Sequence, residues 1–413
     1  MSKIAFYNFA ALALSPLLLA QKSARFLRRR EDYEWALDRA FAPKIAPKSK
    51  RRRVVFVALS WGETAMLERL SREIEARRDD VEIVWAIREK AARKLAKTHF
   101  PTRVLAPMPF DFAPFARLWA ARTAPDVLVV LEKFWWPNLL FAAKARGAKI
   151  VLANGRARGR KTLRYKLLAP YQRWILGAFD AILLGDQSQI ENLREVLPRP
   201  SRAVATGNIK FAFTQIEPPK NADSLRIWAT QNGEKPLFVA GSTHESDENW
   251  LLETFPFDDA NLLLAPRDLR RADAVFARFS EKFRVARRSE NPDSEGAPVL
   301  LLDSMGELPF VYQWARAAYV GGAISGRGHN ILEPLAWNVP VSYGPNRGDF
   351  EGAQRAAEEF EVGFRCEKPQ QLREFWHRFL ERQADFSTRC TALFAANASA
   401  FEFTVTQILA QIG

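Results

Sequence analysis

Side chains of the kinds that hold phosphates and sugars recur just after the apolar runs of this chain. Residues 321–345, GGAISGRGHNILEPLAWNVPVSYGP, gather His329, Asn330 and Glu333 behind Gly326 and Gly328. Glycine lets a backbone and a ligand approach closely. The Glu333 carboxylate is placed to accept two ribose hydroxyls, although Asn330 with an acid three residues on is equally a helix capping box. Upstream, DSMGELP offers Ser304, Met305, Gly306 and Glu307 at an expected helix start. Free backbone N–H groups there would take a phosphate; Ser304 with Glu307 also has capping-box spacing. Arg267, in APRDLRR, carries a planar fork suited to phosphate or carboxylate, or is a solvated surface cation. GSTHESDE contributes His244, and GNIKF contributes Asn208 and Lys210. In the N-terminal half, LSWGETA sets Ser60, Gly62 and Glu63 at the opening of a helix. Glu63 is either a solvated acid favoured by the helix dipole or a general base that removes a proton from an attacking hydroxyl. Glu132, in EKFWWPN, is a candidate for fixing a sugar. The adjoining Phe134, Trp135 and Trp136 read as core, or as a contact for acyl chains.

The elements that must position these residues are strands followed by helices. Continuous apolar runs suit strands covered on both faces. They occur at 54–59, 81–87, 126–132, 149–154, 181–186 and 203–208, and again at 236–242, 261–266, 283–288, 299–303, 317–322 and 339–344. Helix-length segments separate most of them, so the chain is expected to form two doubly wound parallel-sheet domains facing a cleft, with ligands at the strand carboxyl ends. The expected division is 1–30 as a membrane anchor with a basic flank, 31–213 as the N-terminal domain and 214–232 as a linker. Residues 233–385 form the second domain, and 386–413 a C-terminal helix able to pack back on the first.

The 413 residues are too many for one ordinary core. Two cysteines and four scattered histidines give no disulfide framework and no metal-ligand spacing. The 61 Lys and Arg against 47 Asp and Glu leave a net charge of +14, a field that attracts polyanions. No nucleic-acid motif with a defined docking geometry accompanies it. Residues 4–20 carry no charge and precede Lys22, Arg25, Arg28, Arg29 and Arg30. That pattern is expected to attach the chain to an anionic membrane, either spanning it or lying in its plane, with the body on the cytoplasmic side.

The motifs ALSWGE, LEKFWWPN, GNIKF, GSTHESDE, LLAPR, LLDSMGELPFVY, YVGGAISGRGHNILEPLAW and PVSYGP resemble, in order and spacing, those of 3-deoxy-D-manno-octulosonic acid (Kdo) transferases. The resemblance covers about residues 54–350 and implies a GT-B fold and an inverting, lipid A-specific glycosyltransferase. It implies CMP-Kdo as donor, a lipid A precursor (lipid IVA) as acceptor, and a place on the cytoplasmic side of the inner membrane. It implies neither a cofactor nor a catalytic metal. Glu63 falls on the family's proposed general base. Arg267, Ser304, Met305, Gly306, Glu307, Asn330 and Glu333 fall on the donor side, and Glu132 falls near the Kdo. The chain departs from the pattern at Val57, at IREKAARK (87–94) and at NGRAR (154–158), all on the acceptor side. The alternatives are a GT-B transferase using another nucleotide sugar, such as a UDP-hexose, or an inactive membrane-surface scaffold.

Overall fold

A computed structural model describes residues 3–5, 7–9, 30–41, 45–156, 163–197, 202–212, 222–231, 235–290, 296–326, 328–347, 350–381 and 385–413. The chain divides into two compact units, one of residues 1–209 with 399–413 and one of residues 210–398.

Unit 1 is built on seven parallel strands: β1 (Arg52–Ala58), β2 (Val81–Ile87), β3 (Val104–Pro107), β4 (Val127–Leu131), β5 (Lys149–Gly155), β6 (Ala181–Leu184) and β7 (Ala203–Ala205). Their order across the sheet is β3-β2-β1-β4-β5-β6-β7. The chain therefore winds outward in one direction from β1 and in the other from β4. The crevice beyond the carboxyl ends of β1 and β4 is the topological switch point, where open α/β sheets bind ligands. Strand composition follows from this layout. β4 throughout and β1 from Val54 onward are apolar and buried, because helices cover both faces.

Unit 2 repeats the plan with β8 (Leu237–Thr243), β9 (Asn261–Pro266), β10 (Val285–Arg287), β11 (Val299–Leu301), β12 (Ala317–Val320), β13 (Val341–Tyr343) and β14 (Gly363–Arg365). The order is β10-β11-β9-β8-β12-β13-β14, so its switch point lies between β8 and β12. Its core is one continuous cluster around Trp228, Phe238, Phe279, Tyr312, Tyr319 and Trp376.

All twelve expected strands are present, together with β3 and β14, which were not expected. The stretch 214–232 was read as a linker, but a helix, Ala222–Thr230, occupies part of it and buries Leu225 and Trp228 in the unit 2 core. The tail is two helices rather than one. Ser387–Asn397 belongs to unit 2, and Ser399–Ile412 packs on unit 1 against helix Trp61–Arg77, β4 and β5. Arg69 lies over the Phe401 ring at 4.9 Å, and Arg77 pairs with Glu402. Most of the expected anchor, residues 10–29, falls outside the described residues. Before it, Tyr7 donates to Asp111 at 3.0 Å, and Asn8 and Asn138 exchange side-chain hydrogen bonds. Among the described residues, no helix is long and apolar enough to cross a membrane.

Candidate active site

Each unit carries a cluster of polar groups at its own switch point. In unit 1, Ser60 is the N-cap of helix Trp61–Arg77, which includes Gly62 and Glu63 and leaves the end of β1. Glu63 is only 5% exposed, and its carboxylate turns back toward the strand end. The Leu59 backbone N–H donates to Oε2 at 2.7 Å and the Ser60 hydroxyl to Oε1 at 3.4 Å. This acid is neither solvated nor loose, which excludes the reading of Glu63 as a solvated helix-start acid.

Glu132 follows β4 on the other side of the same crevice. It is buried and adopts a positive φ of 60°. A non-glycine residue held in that region costs of order 1–3 kcal/mol and persists where its surroundings over-determine it. Here they do. The Glu132 N–H donates to Ala153 O, its carbonyl accepts from Arg156 N, and Arg156 reaches its carboxylate at 3.1 Å. Asn154, also at positive φ (53°), approaches the same carboxylate with its amide and accepts from Ile209 N–H. Asn154 and Arg156 were not among the expected site residues; their place in NGRAR at the end of β5 was the available signal. The aromatic run divides: Phe134 is core, whereas Trp135 is 39% exposed and stacks on Phe134 and Tyr171. The GNIKF loop also divides, with Asn208 in unit 1 and Lys210 in unit 2.

In unit 2, Glu333 stands after the glycine-rich loop. Asn330 donates to its Oε1 at 3.1 Å, and the Leu332 N–H donates to Asn330 Oδ1. Desolvation pushes the Glu333 carboxyl up to about 7, against the opposing pull of the Asn330 bond and of the Arg267 and Lys210 cations. Those two cations and this acid therefore sense one another in one region. Arg267 itself is exposed, and its backbone N–H donates to the carbonyl of Thr243, the last residue of β8. Lys210 lies over the Phe350 ring at 4.6 Å. His244 caps helix Glu245–Thr254, and its Nε2 is 2.9 Å from that of His329.

The DSMGEL segment differs from expectation. The helix after it, Leu308–Val311, spans four residues, too short to present a helical anion site, and its N-cap is Glu307 rather than Ser304. The Glu307 carboxylate is buried, accepts from the Ser304 hydroxyl and pairs with Arg288 at 3.3 Å. Ser304 and Glu307 thus make a structural pairing. Met305 (64% exposed) and Gly306, at a φ of 91°, remain on the surface of the turn between them.

Two doubly wound parallel sheets with polar clusters at both switch points define the GT-B class of glycosyltransferase folds. A glycosyltransferase from Rickettsia africae shares the architecture at a TM-score of 0.60 and 10% identity, over 87% of this chain and 99% of that one. Residues 34–213 match the family model of 3-deoxy-D-manno-octulosonic-acid transferases (kdotransferases). The 3-deoxy-D-manno-octulosonic acid transferase of Haemophilus influenzae is 28% identical over 366 residues, 84% of this chain and 83% of that protein. That of Bordetella pertussis is 31% identical over 265 residues, 60% of each chain. The chain is thus similar in sequence to Kdo transferases, through the family model over its N-terminal part and through relatives that extend over most of its length.

Proposed function

We propose that the chain transfers Kdo, with inversion, from CMP-Kdo to the lipid A precursor lipid IVA. Similarity to Kdo transferases supports the sugar. The observation that carries the assignment of roles is the placement of a buried, hydrogen-bonded acid at one switch point and of cations with an acid at the other. In this reading Glu63 takes the proton of the acceptor hydroxyl as that oxygen attacks the anomeric carbon. CMP leaves, and the charge developing on its phosphate is met by the Arg267 and Lys210 cations. Glu333, held by Asn330, accepts the ribose hydroxyls, and Glu132, held by Arg156, fixes the Kdo. No cofactor takes part.

The acceptor is an anionic glycolipid, so a net charge of +14 and an uncharged N-terminal run followed by arginines both favour work on the cytoplasmic side of the inner membrane. The test uses the full chain with CMP-Kdo and lipid IVA in anionic vesicles, with products counted by mass. The expected product carries added Kdo, with CMP released, turnover unchanged by a chelator, and the chain floating with the vesicles. Release of UDP from a UDP-hexose in its place would establish the other nucleotide-sugar reading, and no transfer from any donor the inactive scaffold.

A further inference from the structure

Two imidazole rings meet across the unit 2 switch point. His244 follows β8 and His329 lies in the loop after β12. Their Nε2 atoms are 2.9 Å apart, and the ring planes are 11° from parallel. The separation sets a proton count. With no proton between them, two lone pairs would face each other; with two, the N–H bonds would collide. One shared proton makes an N–H···N hydrogen bond.

Each histidine is held from its own side. The His244 backbone N–H donates to Asp247 Oδ2 at 2.8 Å. His329 rests against Gly322, where a Cβ would come within 2.6 Å of the ring. Asp247 does not compete for the shared proton, because its carboxylate also accepts from Gly322 N–H and the Tyr319 hydroxyl. The other charged groups on the elements around the pair are Glu245, Glu248 bound to Arg271, Arg267, Glu333 bound to Asn330, Lys210, and Arg347 bound to Glu358.

We propose that His244 and His329 form a proton-counting latch for a phosphate. The anion parts the rings and breaks the Nε2–H···Nε2 bond. The ring that had accepted takes one proton from solvent at its Nε2, and both Nε2–H groups then donate to phosphate oxygens. The pair gains one positive charge as the phosphate brings its negative charge in. Two donors side by side suit two oxygens of one phosphate. The proposal rests on the reading of unit 2 as the nucleotide side, and it adds a proton to the binding equilibrium.

The test is calorimetric titration of the full chain with CMP at about pH 8, in buffers of low and high ionisation enthalpy. Neutral histidine predominates at that pH. Glu333, pushed up to about 7, is by then largely ionised and contributes little. The expected result is uptake of about one proton, with CMP affinity weakening by up to about tenfold per pH unit above neutrality. Inorganic phosphate should show the same uptake at lower affinity, and cytidine, which lacks the phosphate, none. His244→Gln and His329→Gln should each bring the uptake near zero and flatten the pH slope. CMP binding by the unsubstituted chain without proton uptake, or uptake retained in both variants, would overturn the latch alone. Failure to bind CMP at any pH would overturn the nucleotide reading and the latch with it. The buffer comparison on the unsubstituted chain decides the matter even if a variant does not fold.

Discussion

The two units put their polar residues at the same topological position and hold them by different means. At the unit 1 switch point the acids are satisfied locally: Glu63 by the backbone of its own loop, Glu132 by Arg156. Both are buried. At the unit 2 switch point His244 and His329 meet across two loops, and Glu333 is held by Asn330 three residues before it. Its acid is desolvated with two cations near by, and the Nε2 atoms of its two histidines stand 2.9 Å apart. One topology thus carries a locally held acid in one unit and, in the latch proposed above, groups whose protonation would respond to a ligand in the other. The sheet supplies only the place; the loop residues decide whether that place holds charge or exchanges it.

The sharpest way to break this comparison is at Glu63. Glu63→Gln keeps the shape and removes the base. Transfer should fall on the order of 10²–10⁴-fold, the usual size of a general-base contribution, while CMP affinity stays as it was. Single-turnover transfer and CMP titration on the same sample separate the two. Near-normal turnover would take Glu63 out of the chemistry and make its buried hydrogen bonds purely structural.

The next effect is smaller and belongs to unit 2. Desolvation raises the Glu333 carboxyl from 4.5 to about 7, so the folded unit favours the protonated form. Its contribution to stability is complete below about pH 4.5 and is lost as pH rises through about 7. By linkage the loss is on the order of 3 kcal/mol. Thermal melts of the ligand-free chain between those pH values should show it, and Glu333→Gln should flatten that part of the profile. An unchanged slope in the variant would assign the titration elsewhere.

How much of this could be read from the chain alone depends on where the signal lies. The inner strands announce themselves as apolar runs because helices cover both faces, while the outer β7 and β10 are only partly buried. β3 and β14 are the other outer strands of their sheets, four and three residues long. β14 opens on a glycine and makes no continuous apolar run, whereas β3, VLAP, is apolar but short and ends on a proline, which reads against a strand. The helix at 222–230 was legible in the spacing of Leu225, Trp228 and Ala229, but the polar residues before it outweighed that signal. Site residues were legible wherever a loop follows a strand. Their partners were not, since Arg156 comes to Glu132 from a neighbouring strand and Arg288 to Glu307 from the end of another. Pairings of that kind are made by sheet order, which no local pattern encodes.

The smallest effect tests whether the unit 2 loops depend on one another as closely as the geometry indicates. Gly322 has a φ of 86°, a conformation that side chains disfavour, and a Cβ there would sit 2.6 Å from His329 Cδ2 and 2.8 Å from its Nε2. Gly322→Ala should therefore cost about 1–2 kcal/mol in stability. Its more telling consequence is local. To make room the His329 ring must move, and at 2.9 Å its bond to His244 has no slack. The variant should then bind CMP without the linked proton, while Glu63 and the rest of unit 1 are untouched. Thermal melts combined with the two-buffer titration check both parts. A variant that loses stability yet keeps the proton uptake would show that the rings find each other without Gly322, and that the loop after β12 is held mainly by Asp247 on the Gly322 N–H.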